Sequence, residues 1–104
     1  MDLDHETLTN SDFRRSLYID KHIQLVVMRL KPKEEVGMER HPGVTQFVHV
    51  LQGRGISIIG DEYVDIYAGV AFIIPAGVYH NIINTSNKKS LRFYTTYSPP
   101  EHNS

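Results

Sequence analysis

Two short segments of the chain carry residue types that bind metal ions. The first, MERHPGVTQ, starts at residue 38 and contains Glu39, His41 and Gln46. The second, GVAFIIPAGVYHNIIN, starts at residue 69 and contains His80. The chain has no cysteine, so a thiolate site is excluded, and imidazole, carboxylate and amide groups are the ligands that remain.

The spacing of the first segment leaves two interpretations open. Glu39 and His41 are two residues apart, so on a strand both side chains point to one face and can grip one ion, whereas Arg40 points to the other face. In the first interpretation Glu39, His41 and Gln46 are ligands of one metal ion. In the second, the segment is a charged surface bend in which Glu39 pairs with Arg40 or a lysine and Gln46 only fills space by hydrogen bonding.

The elements that must position these residues are strands. Most of the chain alternates with period two or forms short β-rich runs, which are separated by Gly, Pro, Asn and Asp. No segment has a sustained 3.6-residue apolar period, so the chain is predicted to be all-β, a sandwich or a barrel of roughly eight strands. The first predicted strands and turns are Leu17 to Ile19, a turn at Asp20-Lys21, Ile23 to Leu30 ended by Pro32, and a hairpin turn at Gly60-Asp61.

Length and charge exclude several classes of protein. A chain of 104 residues with 40% hydrophobic content fits one domain, residues 1–104, with arms at about 1–12 and 99–104. The net charge of -1 provides no basic field, so we expect no nucleic-acid partner and no membrane partner. The start MDLDHETLTN is acidic where a signal peptide would be basic, and no apolar run approaches the ~18 residues of a membrane span. We therefore expect a soluble, cytoplasmic protein.

The second segment resembles the second sequence motif of the cupin superfamily at every fixed position. These positions are Gly69, Pro75, Gly77, His80 and Asn84, with five, one, two and three residues between them. From average residue usage, five such matches have a chance probability on the order of 10⁻⁷ per starting position. Coincidence is therefore a poor explanation of the match.

The first segment resembles the first cupin motif in its intervals and only partly in its residue types. Fifteen residues separate Gly53 from Gly69, as in compact single-domain cupins, six lie between Gln46 and Gly53, and four between His41 and Gln46. Glu39 stands where that motif has its first histidine, and Gln46 stands where it has its glutamate.

The resemblance extends over most of the chain. A group of small bacterial cupins related to mannose-6-phosphate isomerase carries the same Glu-x-His-Pro…Gln…Gly pattern. Its members are also similar to this chain in FRRSLY, QLVVMRLKP, PAGVYHNIINTS and YTTYSPPEH, so the similarity covers about Phe13 to His102. It implies a cupin jelly-roll β-barrel, also called a double-stranded β-helix, with its ligands directed into the interior.

The resemblance also implies one divalent metal ion, held by Glu39, His41, Gln46 and His80. A set of three histidines and one glutamate offers three nitrogens and one carboxylate, whereas this set offers two nitrogens, one carboxylate and one amide oxygen. These harder donors favour Mn²⁺ or Fe²⁺ without excluding Zn²⁺ or Ni²⁺. Glu39, His41 and His80 alone have the composition of the two-histidine, one-carboxylate triad of iron(II) oxygenases.

Two classes of function follow from this interpretation. The first is a metal-dependent enzyme of the isomerase or dioxygenase type, acting on a small polar molecule such as a sugar or an organic acid. The alternative is a non-catalytic module that binds or senses a small molecule. The sequence assigns no catalytic residue. In either case we expect a homodimer, because cupins of this size commonly pair and the strands FVHVL and AFIIP are apolar on both faces.

Further predictions concern which side chains face the interior. His49 should lie on the outer face, opposite Gln46, and one of Arg14 and Arg15 can point inward, because neighbours on a strand face opposite ways. The last strand presents two alternating sets, either of which could line the cavity: Arg92 with Tyr94, or Phe93 with Thr95 and Tyr97. Three histidines near the termini or a turn are predicted to be solvated: His5, His22 and His102.

Overall fold

The predicted strands form in the structure, a computed structural model that describes residues 1–100. The end of the C-terminal arm and the solvated state predicted for His102 lie outside the described residues. In chain order the elements are α1 (Leu3–Thr9), β1 (Arg14–Ile19), β2 (Gln24–Leu30), β3 (Thr45–Gln52), β4 (Arg54–Ile59), β5 (Glu62–Tyr67), β6 (Ala71–Ile74), β7 (His80–Asn84) and β8 (Leu91–Ser98).

The strands form two antiparallel sheets with the order of a jelly roll. One sheet has five strands in the order β1-β2-β8-β3-β6, and the other has three in the order β5-β4-β7. Their inner faces enclose one apolar core, which includes Val26, Val48, Ile66, Ile82 and Phe93, all at most 2% exposed. The prediction of an all-β cupin jelly-roll barrel is confirmed.

Alternation along β3 and β8 decides which side chains enter the barrel. On β3, Gln46, Val48 and Val50 are buried, whereas His49 is half-buried on the outer face, as predicted. On β8, the buried set is Phe93, Thr95 and Tyr97. Because β3 and β8 are paired in one sheet, these two sets together line the interior.

The helix α1 is an element that the sequence did not predict. It spans Leu3–Thr9, begins after Asp2, whose side chain accepts a hydrogen bond from the backbone N–H of His5 at 3.1 Å, and packs over the outer face of β8, β3 and β2. Seven residues are too few to show a sustained helical period, so the sequence predicts only an arm here. Thr7 is the buried residue of this helix, and its hydroxyl donates to the carbonyl oxygen of Leu3 at 2.7 Å.

Strand boundaries agree with the prediction except at β1. This strand starts at Arg14, three residues before the predicted Leu17, and pairs with β2 through an irregularity between Ser16 and Tyr18 that breaks the simple alternation. The hairpin of β4 and β5 turns at Gly60-Asp61, and Gly60 has the predicted positive φ of 60°. Among residues 1–100, the one helix falls far short of the length needed to cross a membrane.

Candidate metal centre

The two sequence motifs meet through a backbone bridge between Glu39 and His80. The N–H of Glu39 donates to the carbonyl oxygen of His80 at 2.8 Å, and the N–H of His80 donates to that of Glu39 at 2.9 Å. Glu39 precedes the bend that leads into β3, and His80 opens β7 of the other sheet. The bridge therefore joins the segment before β3, a strand of the five-stranded sheet, to β7, an edge strand of the three-stranded sheet.

His41 is fixed at the bend by hydrogen bonds to its backbone carbonyl. That oxygen accepts from the N–H of Val44 at 3.2 Å and from the N–H of Gly77 at 3.1 Å. Gly77 has a φ of 79°, in the left-handed region that a residue with a side chain rarely adopts. The glycine of the second motif therefore supplies a hydrogen bond that anchors a ligand of the first motif.

Glu39, His41 and His80 come together as a cluster that could hold a metal ion. One ligand atom from each lies within 4.8 Å of the others. Oε2 of Glu39 is 2.8 Å from Nε2 of His41, and the two imidazole rings are 5.2 Å apart between centroids. His41 and His80 are only 8% and 3% exposed, whereas the Glu39 side chain is 39% exposed. The cluster is thus reached from solvent on the Glu39 side.

His80 is held in a form that suits metal binding. Its Nδ1 lies 2.9 Å from the carbonyl oxygen of Val78, so Nδ1–H donates there and the lone pair of Nε2 is left for an ion. Burial lowers the pKa of His80, and the nearby His41 imidazole lowers it further, against the opposing effects of the Val78 hydrogen bond and the Glu39 carboxylate. A neutral imidazole is the form that binds metal.

Gln46 presents a buried amide oxygen that nothing in residues 1–100 satisfies. Its Nε2 donates to Oγ1 of Thr95 at 2.9 Å, while its Oε1 is buried and has no hydrogen-bond partner in that part of the chain. A buried carbonyl left unpaired costs about 1–3 kcal/mol, so native structures rarely keep one without a reason. Gln46 pairs across the sheet with Tyr97, whose ring forms a T-shaped pair with that of His41, 5.9 Å apart between centroids. A metal ion at the cluster would fit this free oxygen, and Gln46 stays a predicted ligand.

Arg40, the charged neighbour of both Glu39 and His41 in the chain, belongs to the surface. It is exposed, its Nε donates to the carbonyl oxygen of Gly77 at 3.0 Å, and its guanidinium lies over the ring of Tyr79 at 5.6 Å. Glu39 contacts His41 rather than Arg40. The charged-bend interpretation therefore describes Arg40 and fails for Glu39.

Asn84, the last fixed residue of the second motif, has a structural role. It is fully buried, and its Nδ2 donates to the carbonyl oxygens of Leu30, Lys31 and Lys89 at 2.8 to 3.1 Å. Its Oδ1 accepts from the N–H of Ser86 at 3.0 Å. Asn84 thus ties the end of β2 to the loop between β7 and β8, because its amide replaces missing backbone partners.

The other histidines of the described chain lie away from the cluster. His5 and His22 are exposed, as predicted. His49 lies on the outer face of β3, where its Nδ1 is 3.1 Å from the hydroxyl oxygen of Tyr94. Burial raises the pKa of Tyr94, and the carboxylate of Asp4 in α1 adds to the shift.

The groups that orient the ligands were not found from sequence. The carbonyl of Val78 is a backbone group, and because every residue has one, the sequence does not show which carbonyl accepts from His80. The hydroxyl of Thr95 belongs to one of the two alternating sets of β8, and only the pairing of β8 with β3 shows which set meets Gln46. Arg14 is the arginine that faces inward, on the same side of β1 and β2 as Met28, whereas Arg15 pairs with Glu6 of α1 at 3.2 Å.

Known proteins with a similar sequence or structure agree with this architecture. BH2720 from Bacillus halodurans, a crystal structure, superposes with a TM-score of 0.94 at 35% identity, covering 98% of this chain and 81% of that chain. YrkC from Bacillus subtilis, an uncharacterized protein, is 38% identical over 98% of this chain and 58% of its own length. L612 from Acanthamoeba polyphaga mimivirus, also uncharacterized, is 42% identical over 93% of this chain and 62% of its own length.

The chain thus spans about three fifths of the length of the two curated relatives. The profile of the Cupin domain family matches residues 26–97, a range that contains both motifs and all four predicted ligands. With the two-sheet jelly roll and the meeting of the two motifs at Glu39 and His80, this match shows that the chain belongs to the cupin domain family.

Proposed function

We propose that this cupin binds one divalent metal ion through Glu39, His41, Gln46 and His80, and that it is a metal-dependent enzyme acting on a small polar molecule. The observation that carries the proposal is the approach of three ligand atoms from two separate motifs to within 4.8 Å of one another. Two of these atoms belong to buried imidazoles, and burial lowers the pKa of His80 and so favours its neutral, metal-binding form. The unsatisfied oxygen of Gln46 supports a fourth ligand.

The donor set favours Mn²⁺ or Fe²⁺ over softer ions, and Zn²⁺ or Ni²⁺ would also be accommodated. Two oxygen donors beside two imidazoles form a harder set than three imidazoles and one carboxylate. The formal charge of the ligands is the same in both sets, so the difference concerns which metal is preferred. Competition between equal concentrations of these four ions, read out by elemental analysis, would rank them.

The reaction is of the isomerase or the dioxygenase type. A divalent ion held at this site would polarise a carbonyl or hydroxyl group of the substrate or, as iron, would supply oxygenase chemistry. An isomerase would need a base other than Glu39, whose carboxylate belongs to the proposed ligand set. The two histidines and one carboxylate alone are a sufficient ligand set for a dioxygenase.

A panel of substrates tests this function. Protein loaded with Fe²⁺, Mn²⁺ or Zn²⁺ would be incubated with sugars, sugar phosphates and organic acids, with and without dioxygen, and product formation would be followed by mass spectrometry. Turnover that is lost in His80→Ala supports the enzyme. A ligand-induced thermal shift with no product for any compound would favour the non-catalytic binding or sensing module. If no compound were turned over and none were bound, both functions would be contradicted.

The homodimer stays a prediction, on a narrower basis than the sequence suggested. Helix α1 of the same chain covers part of the outer face of β3, which the sequence assigned to a second subunit. On the neighbouring edge strand β6, Ile73 remains 51% exposed and is the apolar side chain that pairing would cover. Sedimentation velocity on the wild type and on Ile73→Lys tests this prediction, and a wild-type monomer at micromolar concentration would contradict it.

A further inference from the structure

An arginine on the inner face of β1 contacts an aromatic ring beside the metal cluster and has no acidic partner among residues 1–100. Arg14 pairs in register with Met28, whose side chain is in the core, so strand alternation directs Arg14 to the inner face. Its neighbour Arg15 faces outward and pairs with Glu6. The sequence allowed either arginine to point inward, and the structure selects Arg14.

The Arg14 guanidinium is buried at one of its nitrogen atoms and is unpaired there. Nη2 has no hydrogen-bond partner among residues 1–100, and no carboxylate of those residues lies within ion-pair distance of the group. Burying a cation without a partner costs several kcal/mol, and such charges in native structures are normally paired. The contact that Arg14 does make is with the ring of Tyr97, at 5.9 Å from the ring centroid.

One aromatic ring contacts both Arg14 and a residue of the proposed metal centre. The ring centroid of Tyr97 lies 5.9 Å from the guanidinium carbon of Arg14 and 5.9 Å from the ring centroid of His41. A divalent ion at the cluster would have one of its two charges balanced by Glu39, so one positive charge would remain there. The guanidinium of Arg14 adds a second positive charge nearby.

We propose that Arg14 is the residue that selects an anionic substrate, and that the substrates of this site are small carboxylic acids rather than neutral sugars. The proposal rests on the proposed function, because it places the metal ion at one end of the bound molecule and Arg14 at the other. Guanidinium is a planar fork that matches a carboxylate with two parallel hydrogen bonds. Such an acid would satisfy the buried nitrogen atom and balance the excess positive charge of the site.

Calorimetry on the metal-loaded protein tests the proposal. The probes are glycolate, pyruvate and malonate, with glycerol and glucose as neutral controls, and the proteins are wild type, Arg14→Gln, Arg14→Lys and Arg15→Gln. We expect wild type to bind at least one of the acids and neither neutral compound. Arg14→Gln should bind that acid ten- to a hundredfold more weakly, because a charge-assisted pair is lost. Arg14→Lys should recover part of the affinity, since it keeps the charge but not the fork.

Arg15→Gln is the matched control, because it removes the neighbouring arginine on the opposite face and should leave acid binding unchanged. Metal content measured on each variant separates this proposal from the proposed function: loss of metal from the wild type would refute the function, whereas metal retained with no acid bound would refute only the substrate class. Equal acid binding by wild type and Arg14→Gln would also overturn the role of Arg14.

The stability of the metal-free variants gives a second readout, which does not depend on the probes. If Arg14 serves only the fold, Arg14→Gln should have a lower melting temperature than wild type. If Arg14 binds an anionic substrate, removing its charge from the substrate-free protein should leave the melting temperature unchanged or raise it. A clear destabilisation by Arg14→Gln would therefore contradict the binding role.

Discussion

Replacing Gln46 with leucine should stabilise the metal-free protein or leave it unchanged while weakening its metal binding. The substitution removes the buried Oε1, whose missing hydrogen bond costs about 1–3 kcal/mol, and also removes the bond from Nε2 to Thr95, worth about 0.5–1.5 kcal/mol. The net effect on the metal-free protein therefore lies between about 0.5 kcal/mol against and about 2.5 kcal/mol in favour of the folded state. For a domain of this size, 1 kcal/mol corresponds to about 4–8 °C in melting temperature.

The same substitution should reduce the stabilisation that metal provides. A ligand that binds the folded state at a hundred times its Kd adds about 2.7 kcal/mol, and each tenfold loss of affinity removes about 1.4 kcal/mol of this. We expect at least a tenfold loss for Gln46→Leu, because an oxygen ligand is removed. Thermal melts with and without Mn²⁺ measure both quantities in one experiment.

Gln24→Leu is the control for Gln46→Leu. Gln24 is also a fully buried amide on the inner face, but its Nε2 donates to Oγ of Ser16 at 3.2 Å, and it lies two strands from Gln46 in the same cross-strand row. Gln24→Leu should leave the metal-induced shift intact, because Gln24 is not among the proposed ligands. If Gln46→Leu instead destabilised the metal-free protein and kept the full shift, Gln46 would be a structural residue and the reasoning would be wrong.

Three further predictions concern the packing and titration of the barrel. Burial lowers the pKa of His80 in the folded protein below its ordinary 6.5, so the unfolded chain binds that proton more tightly, and the metal-free protein should lose stability as the pH falls below about 6.5. Urea unfolding at pH 7.5 and 5.5 should show this loss of stability. If a His80→Asn variant lost as much stability between these pH values, the loss would belong to another group. Asn84→Ala removes four hydrogen bonds of a buried amide and should cost roughly 2–4 kcal/mol in urea unfolding, and a cost below about 0.5 kcal/mol would refute its tying role. Gly55→Ala would place a methyl group against the backbone carbonyl oxygen of Ile83 on the paired strand and should lower the free energy of unfolding by about 1–3 kcal/mol. An unchanged midpoint of urea unfolding would show that the two strands can move apart without this cost.

The sequence was sufficient for the fold and for the identity of the cluster, because both are encoded locally. Period-two alternation shows in Gln46, Val48 and Val50 whichever strand lies beside them, and the second motif places Gly77 three residues before His80 in the chain. Glu39 and His41 were predicted to share a face, and the structure brings them within 2.8 Å.

What the sequence could not supply depends on pairing between distant strands. The inward direction of Arg14 follows from its register with Met28, and the choice of Thr95 over Tyr94 as an interior side chain follows from the pairing of β8 with β3. Helix α1 is stabilised by an Asp2 cap and by packing on the sheet. Its seven residues are too few for a helical pattern to be recognised in the sequence.

The central claim is that Glu39, His41, Gln46 and His80 hold one metal ion, and elemental analysis tests it most directly. Protein purified without added metal or chelator should contain close to one equivalent of a divalent transition metal ion per chain, and His80→Ala should contain almost none while remaining folded by circular dichroism. Metal that persists in His80→Ala would place the ion elsewhere. A wild type that contains no metal and takes up none from Mn²⁺, Fe²⁺, Zn²⁺ or Ni²⁺ solutions would contradict the account.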